Sequence, residues 1–448
     1  MKIFPLVMYL LIYTFFVSQV HTSTLDQIPK AYISDSSFIS MTLETQAPAG
    51  KLYAAPKGHG DACTPTSPCT IQTAADKLKP GYYLYLKEGT YNAKDGIYFT
   101  KSGEKNKYIV ITSAPGENKP IISSECNKGS IKCDDITLFA IEKASYIIIE
   151  NINFKNAVGQ NLQGIGLFDG GQNHIIIRNC VFDNLKTTKD NNDDYNASGI
   201  TLLGEKAMIK NVMIYKNTLT KNVLGYTEAI SIMGNCENIY VLNNTLKSNT
   251  NIGIDFNGNN GDGKTSSLDQ PRNSVAMYNI VENSKASYAD CAGIYADGAK
   301  NILIYGNRVT KSDCGIEVGA EGKKNNNPVT NIIVENNKLI NNTVAAIKVG
   351  GYDKSRYFVK NTVFKNNVMT NGKNSIIITK SDNITFIGNK ISGASKYFVE
   401  MEDELTTSDI KNIKFEKNTF SGKANFLIYG DELTLKQFVN KYTTNTIK

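Results

Sequence analysis

The chain has 448 residues, with 49 lysines and arginines against 42 aspartates and glutamates, a formal net charge of +7. It contains no tryptophan and 3 histidines, of which only His59 and His174 lie beyond the opening segment, so a histidine-built zinc site or catalytic triad is not expected. The mild positive excess favours an acidic partner, and no nucleic-acid partner is expected.

In chain order, Lys2 followed by the apolar run Ile3 to Val20, closing on small and polar residues near His21, predicts a secretory signal peptide over residues 1–23. The mature chain, residues 24–448, is expected to be one secreted, extracellular domain. No later segment is long and apolar enough to span a bilayer, so no membrane partner is expected. Residues 50–90 read as an N-terminal cap. Within it, Thr70 to Leu78 predicts a short amphipathic helix with Ile71, Ala74, Ala75 and Leu78 on one face, stopped by Pro80-Gly81.

From about residue 91 to 421 one pattern recurs. An asparagine closes a short strand at Asn151, Asn179, Asn217, Asn244, Asn279, Asn307, Asn337, Asn367, Asn389 and Asn418. In nine copies another asparagine opens the strand six residues earlier, as in Asn238-Ile-Tyr-Val and Asn331-Ile-Ile-Val; the first copy has Ser145 there. Asparagine tolerates left-handed backbone angles, and like amides stacked on successive coils can bond to one another. A second strand precedes many of these, as in Gly253-Ile-Asp-Phe and Gly315-Ile-Glu-Val. Alternation of apolar and polar residues over four or five positions is strand periodicity, which excludes helical and leucine-rich repeats. The expectation is an all-β, right-handed parallel β-helix solenoid of about ten coils with an N-terminal capping helix, and a C-terminal cap over about 422–448 containing Glu432 to Val439.

The stretch Leu52-Tyr-Ala-Ala-Pro-Lys-Gly, with Ser67-Pro-Cys-Thr-Ile-Gln-Thr-Ala-Ala-Asp-Lys-Leu and Tyr85-Leu-Lys-Glu-Gly-Thr-Tyr, resembles the N-terminal segment of secreted right-handed β-helix proteins of the pectin-lyase-like superfamily, including polysaccharide lyases. The segments Gly253-Ile-Asp, Asp269-Gln-Pro-Arg-Asn, Gly293-Ile-Tyr-Ala-Asp-Gly and Gly315-Ile-Glu-Val-Gly-Ala-Glu are similar to an uncharacterised bacterial branch of such proteins. The resemblance implies a polysaccharide substrate. The Asn-Thr-Asp, Asp-Asp and Arg-Ile-Lys set of polygalacturonases is absent, and the Asp-rich calcium cage of family 9 lyases has no counterpart.

Cys63 with Cys69, and Cys126 with Cys133, have the spacing of local disulfides; Cys291 and Cys314 precede corresponding strands and can pair, while Cys180 and Cys236 read as free. Sequons at Asn196, Asn243, Asn341 and Asn383 fit a glycoprotein.

Candidate chemistry follows from registration. Aligning the inward Ile200, Ile230, Ile254, Ile294, Ile316 and Ile347 puts Thr201, Ser231, Asp255, Tyr295, Glu317 and Lys348 in one outward column, beside a strip of Gly199, Ala229, Gly253, Gly293, Gly315 and Ala346. Loops leaving the same corner carry Asp269, Arg272, Glu321, Tyr352, Asp353 and Arg356, which would wall a groove. For β-elimination on a uronic-acid polymer, Lys348 is the candidate base, Tyr295 the acid and Arg272 or Arg356 the neutraliser of the uronate, with Tyr352 and Asp353 contacting substrate. For inverting hydrolysis, Asp255 and Glu317, two coils and about 9 to 10 Å apart, are the carboxylate pair. Alternatively Glu317 and Lys348 form a cross-strand ion pair on a solvated face. Asp255, Asp269 and Asp297 are a possible calcium set, and Asp190 to Asp194 an acidic loop that can also hold calcium. A lyase is the leading expectation, a hydrolase and a non-catalytic glycan-binding surface or matrix protein the alternatives, in each case as a monomer.

Overall fold

Runs in which every second residue is Ile, Val, Leu or Phe have an apolar face that must be covered, and here equivalent runs of successive coils pair in parallel, residue for residue. Ile175 aligns with Val212 and then Ile239, and Ile302 aligns with Ile332. The computed structural model describes residues 28–32, 38, 46–124, 135–190, 195–322, 324–351, 359–401, 409–441 and 446–447. The chain divides into two units, Met1–Ala47 and Pro48–Lys448. In the first, the described residues include one 3-10 turn, Lys30–Tyr32; the expected signal peptide lies outside the described residues.

The second unit is a parallel β-helix with three strand stacks. One, termed the site face, includes Ile136–Glu142, Asn161–Phe168, Ile254–Asn257, Ala292–Asp297 and Cys314–Gly319. The back face includes Tyr82–Leu86, Ile109–Ser113, Ile147–Glu150, Asn173–Arg178, Arg272–Met277 and Lys300–Tyr305. A third stack of three-residue strands includes Thr218–Thr220, Thr245–Lys247, Ile280–Glu282 and Arg308–Thr310. Long strands such as Asn196–Tyr215 and Ile230–Leu242 run through the corner between the site and back faces. The interior is a column of like side chains: Phe154 stacks on Phe182 at 4.8 Å between ring centres, and Phe386 on Phe364 at 4.7 Å and on Phe415 at 5.0 Å.

The corner between the back face and the third stack carries the asparagines. Asn217, Asn244, Asn279, Asn307, Asn337, Asn367, Asn389 and Asn418 are all buried. Each Oδ1 from Asn244 onward accepts both the backbone N–H and the Nδ2 of the preceding rung; Asn279 donates these bonds to Asn307 at 2.8 and 3.0 Å. The Nδ2 groups also donate to backbone carbonyls, as Asn307 does to Ala276 at 2.9 Å. Asn151 and Asn179 correct the expected register. They occupy the left-handed turn residue, at φ 58° and 54°, one position before the inward site, which in those coils is Ile152 and Cys180. The Cys180 backbone N–H donates to Asn217 Oδ1 at 3.0 Å, so the amide column begins at Asn217. The opening asparagines from Asn211 to Asn412 do adopt positive φ, whereas in the coil of Asn173 that conformation belongs to His174. The opposite corner of the third stack repeats the inward device through Asn222 and Asn249.

Both ends are covered. The helix Ile71–Asp76 is capped by Thr70 and buries Ile71, Ala74 and Ala75. At the other end Thr434 and Gln437 form a reciprocal capping box before the helix Leu435–Lys441, whose Phe438 stacks on Phe426 with ring centres 3.8 Å apart. Cys63 and Cys69 are disulfide-bonded; Cys126 and Cys133 lie outside the described residues. Cys291 and Cys314 do not pair: both are free, as are Cys180 and Cys236, and the Cys291 thiol contacts Asn251 Oδ1. Two sequon asparagines, Asn341 and Asn383, are exposed but hydrogen-bonded into outer amide pairs with Asn371 and Asn361.

Candidate functional site

The outward column has the register that alignment on the isoleucines predicts. Thr201, Ser231, Asp255, Tyr295, Glu317 and Lys348 are successive partners on the site face. Two residues further along the strands, Met233, Asn257, Asp297 and Gly319 form a second outward column. The glycine strip behaves differently from its expected role as a flat surface. A Cβ on Gly199 would lie 2.6 Å from Leu219 and one on Gly293 2.2 Å from Val309, both buried core residues. At these two positions the strip points inward, and the close approach of the third stack leaves no room for a Cβ.

A cavity of about 480 Å³ opens on this face, lined in part by Glu228, Asp255, Asn257, Asp297, Glu321 and Lys348, with Tyr226 and Tyr288 on one wall. Glu228 lies in the loop before Ile230–Leu242, is 7% exposed, and accepts a 2.6 Å hydrogen bond from Ser231 Oγ. Asn257 Nδ2 donates to Asp255 Oδ2 at 3.1 Å and to Asp297 Oδ2 at 3.2 Å, so the two carboxylates share one amide. Asp297 Oδ1 also accepts the Glu321 backbone N–H at 2.6 Å. Asp255 Oδ1 is buried without a hydrogen-bond partner among the described residues.

Burial and mutual repulsion act together here. Burial pushes the Glu228 carboxyl up to about 7, with Glu321 adding to the rise and the Ser231 hydroxyl opposing it. Burial, then Glu228 and Asp297, hold Asp255 well above the usual carboxylate range. Asp297 is raised by burial and by Glu321, although the Glu321 N–H favours its anion.

The remaining sequence candidates divide sharply. Tyr295 is 1% exposed, packed among Ala292, Cys314, Ala345 and Ile377, and its hydroxyl is raised well above its ordinary value by burial and by Glu317. It separates Asp255 from Glu317 and does not line the cavity, which removes it from proton delivery to a substrate. Glu317 Oε1 lies 2.7 Å from Lys348 Nζ. Burial alone would lower the Lys348 ammonium, but the Glu317 carboxylate outweighs it and holds the amine above its ordinary value. The pair is cross-strand, as the ion-pair alternative predicts, yet mostly buried, with side-chain exposures of 23% for Lys348 and 6% for Glu317.

Arg272 is drawn to the back face, 3.2 Å from Glu237 Oε2 and 2.9 Å from Asn235 Oδ1. Asp269 is consumed by its own loop and by the one carrying Asn325: its carboxylate accepts the Gly261 and Gly263 N–H groups at 2.6 and 3.0 Å and Asn325 Nδ2 at 2.6 Å. Neither lines the cavity, so the proposed triad of Asp255, Asp269 and Asp297 is not assembled. Among the described residues no group of three or more His, Cys, Asp or Glu is arranged to hold a metal ion. Tyr352, Asp353 and Arg356 lie outside the described residues, as does most of the acidic loop at 191–194; its first member, Asp190, bonds the Tyr288 hydroxyl at 3.0 Å. Glu228 is the residue that sequence reasoning missed. Two residues before the inward isoleucines, the other coils carry Ser198, Ile252, Ala292, Cys314 and Ala345; a carboxylate in that uncharged column was the available signal.

A family model described as the right-handed β-helix region matches residues 266–391 and 292–448. The chain has a right-handed β-helix fold. This β-helix protein is 29% identical over 378 residues to the uncharacterised protein YwoF of Bacillus subtilis, covering 82% of this chain and 73% of the relative. Among solved structures it is similar to a GH136 lacto-N-biosidase from Eubacterium ramulus, with TM-score 0.55 and 14% identity, covering 83% of this chain and 67% of that one. The catalytic domain of a GH87 α-1,3-glucanase has TM-score 0.52 and 12% identity over 90% of this chain and 69% of its own. At these identities the likeness concerns the fold.

Proposed function

We propose that this protein is a secreted carbohydrate-active enzyme that hydrolyses a glycan lacking uronate carboxylates, using the Asp255–Asp297 pair. The observation that carries the reading is the amide shared by the two carboxylates. Two acids bonded to one side-chain amide group, buried and adjacent to Glu228, resist ionising together. Asp297 accepts two N–H bonds and is the better-stabilised anion; Asp255 accepts one and keeps an oxygen free to carry a proton. Asp255 would protonate the glycosidic oxygen as its bond to the anomeric carbon breaks. Water then adds at that carbon, losing its proton to the carboxylate pair, so that one water is consumed and two hydroxyl groups appear.

The elimination mechanism is less well supported. Its base, Lys348, is held protonated against Glu317, and a uronate entering beside Glu228, Asp255 and Asp297 would meet like charge. Two solved β-helix structures, the lacto-N-biosidase and the α-1,3-glucanase, make glycan hydrolysis compatible with this fold. The test is to incubate the purified protein with a panel of neutral, amine-bearing and uronic polysaccharides, following reducing ends and unsaturated-product absorbance together. New reducing ends without unsaturated product are expected. Unsaturated product would establish elimination, and glycan binding without turnover of any polymer would make the protein a binder.

A further inference from the structure

Resting on the glycan-cleaving reading above, we propose that the cavity takes a sugar bearing a free amino group, its ammonium held by Glu228 and Asp297 beside Asp255, which keeps its proton for the glycosidic oxygen, and its ring laid against the Tyr226–Tyr288 wall. The charge balance points there. The described lining includes the carboxylates Glu228, Asp255, Asp290 and Asp297, together with Glu321 and Lys348, which make further interactions of their own. That lysine stands 2.7 Å from Glu317, which is not itself part of the lining. Asp255 is 1% exposed, and its Oδ1 lacks a hydrogen-bond partner among the described residues although the side chain lines the cavity.

A neutral hydroxyl could bond Glu228 or Asp297 but would leave their carboxylates repelling one another. An ammonium supplies three donors and a compensating charge at once. N-acetylation of the same sugar deletes the charge and leaves one N–H, and a uronate reverses the sign. The aromatic wall suits the remainder of such a ligand. Tyr226 and Tyr288 rings lie 4.8 Å apart at 36°, with Tyr226 42% exposed. The electron-rich faces of such rings accept both the C–H surface of a pyranose and a nearby cation.

The chain contains no tryptophan, so Tyr226→Trp installs a single indole reporter at the cavity wall, and Tyr288→Trp provides a second. The full chain carrying either reporter is titrated with short glucosamine oligosaccharides, their fully N-acetylated counterparts, galacturonic acid oligomers and calcium chloride. Glucosamine oligomers should shift the emission and bind roughly tenfold more tightly than the acetylated forms, and Glu228→Gln in the reporter background should shrink that preference. Equal binding of amine and acetyl forms, or a response to calcium without one to the amine, overturns the proposal. Binding is read without turnover, so the two readings fail separately. Tight amine binding without hydrolysis removes only the catalytic reading, whereas hydrolysis of neutral glycans without amine preference removes only this one.

Discussion

Two polar columns run along this β-helix and are built on opposite terms. At the corner between the back face and the third stack, Asn244 to Asn389 have their side-chain groups bonded rung to rung. On the site face, Asp255, Asp297 and Glu228 are just as buried, yet they face one another and share too few donors. Neutral amides stack because each carries both donor and acceptor, so repetition satisfies every rung. Carboxylates only accept, so bringing them together leaves charge uncompensated. The amide column is therefore a stabilising device, and the acidic cluster a place where the fold carries buried charge without matching donors.

The largest expected effect tests the acidic cluster. Asp255→Asn should lower turnover on the hydrolysed glycan by about 10²- to 10⁴-fold, with no loss of thermal stability, because it removes a buried group that resists ionisation. A loss of melting temperature matching the loss of turnover would place Asp255 with the structural column instead.

A mutation in the other column should do the reverse. Asn307→Ala deletes the acceptor for Asn279 and the donor to Ala276 and Asn337, and should destabilise the fold by about 3 kcal/mol while leaving the affinity for glycan unchanged. Denaturant unfolding together with glycan binding separates the two.

The smallest effect concerns pH. Glu228 rises from an ordinary value of 4.5 to about 7 in the folded chain. Across that interval the folded state binds more protons than the unfolded, so stability present at low pH is lost as pH rises, by on the order of 3 kcal/mol for this group. Glu228→Gln should flatten the dependence of melting temperature on pH between those limits. An unchanged slope would mean that Glu228 does not differ between the two states.

Much of the fold was legible because a solenoid repeats its rules. Alternating Ile and Val runs, the opening asparagines and the amphipathic Thr70–Leu78 segment gave the coil, the turn and the cap. The reading slipped at Asn151 and Asn179, where asparagine marks the left-handed turn residue and not the inward rung. Both positions favour the same amino acid, for different reasons: one needs a tolerant backbone, the other an amide that can bond on both sides. The outward column from Thr201 to Lys348 was readable by registration alone, but the fate of its members was not. Tyr295 sank into an apolar pocket, Glu317 took Lys348 as its partner, and Asp269 and Arg272 turned to bonds within their own loop and on the back face.

Sequence by itself determined the β-helix and the outward row from Thr201 to Lys348, because period-two strands stacked in register fix which side chains superimpose. Tertiary structure alone decided which members of that row meet solvent and which other loops join them. Glu228, Tyr226 and Tyr288 enter the cavity from loops whose paths no repeat dictates, and burial, which sets whether a carboxyl keeps its proton, is a property of everything packed around it.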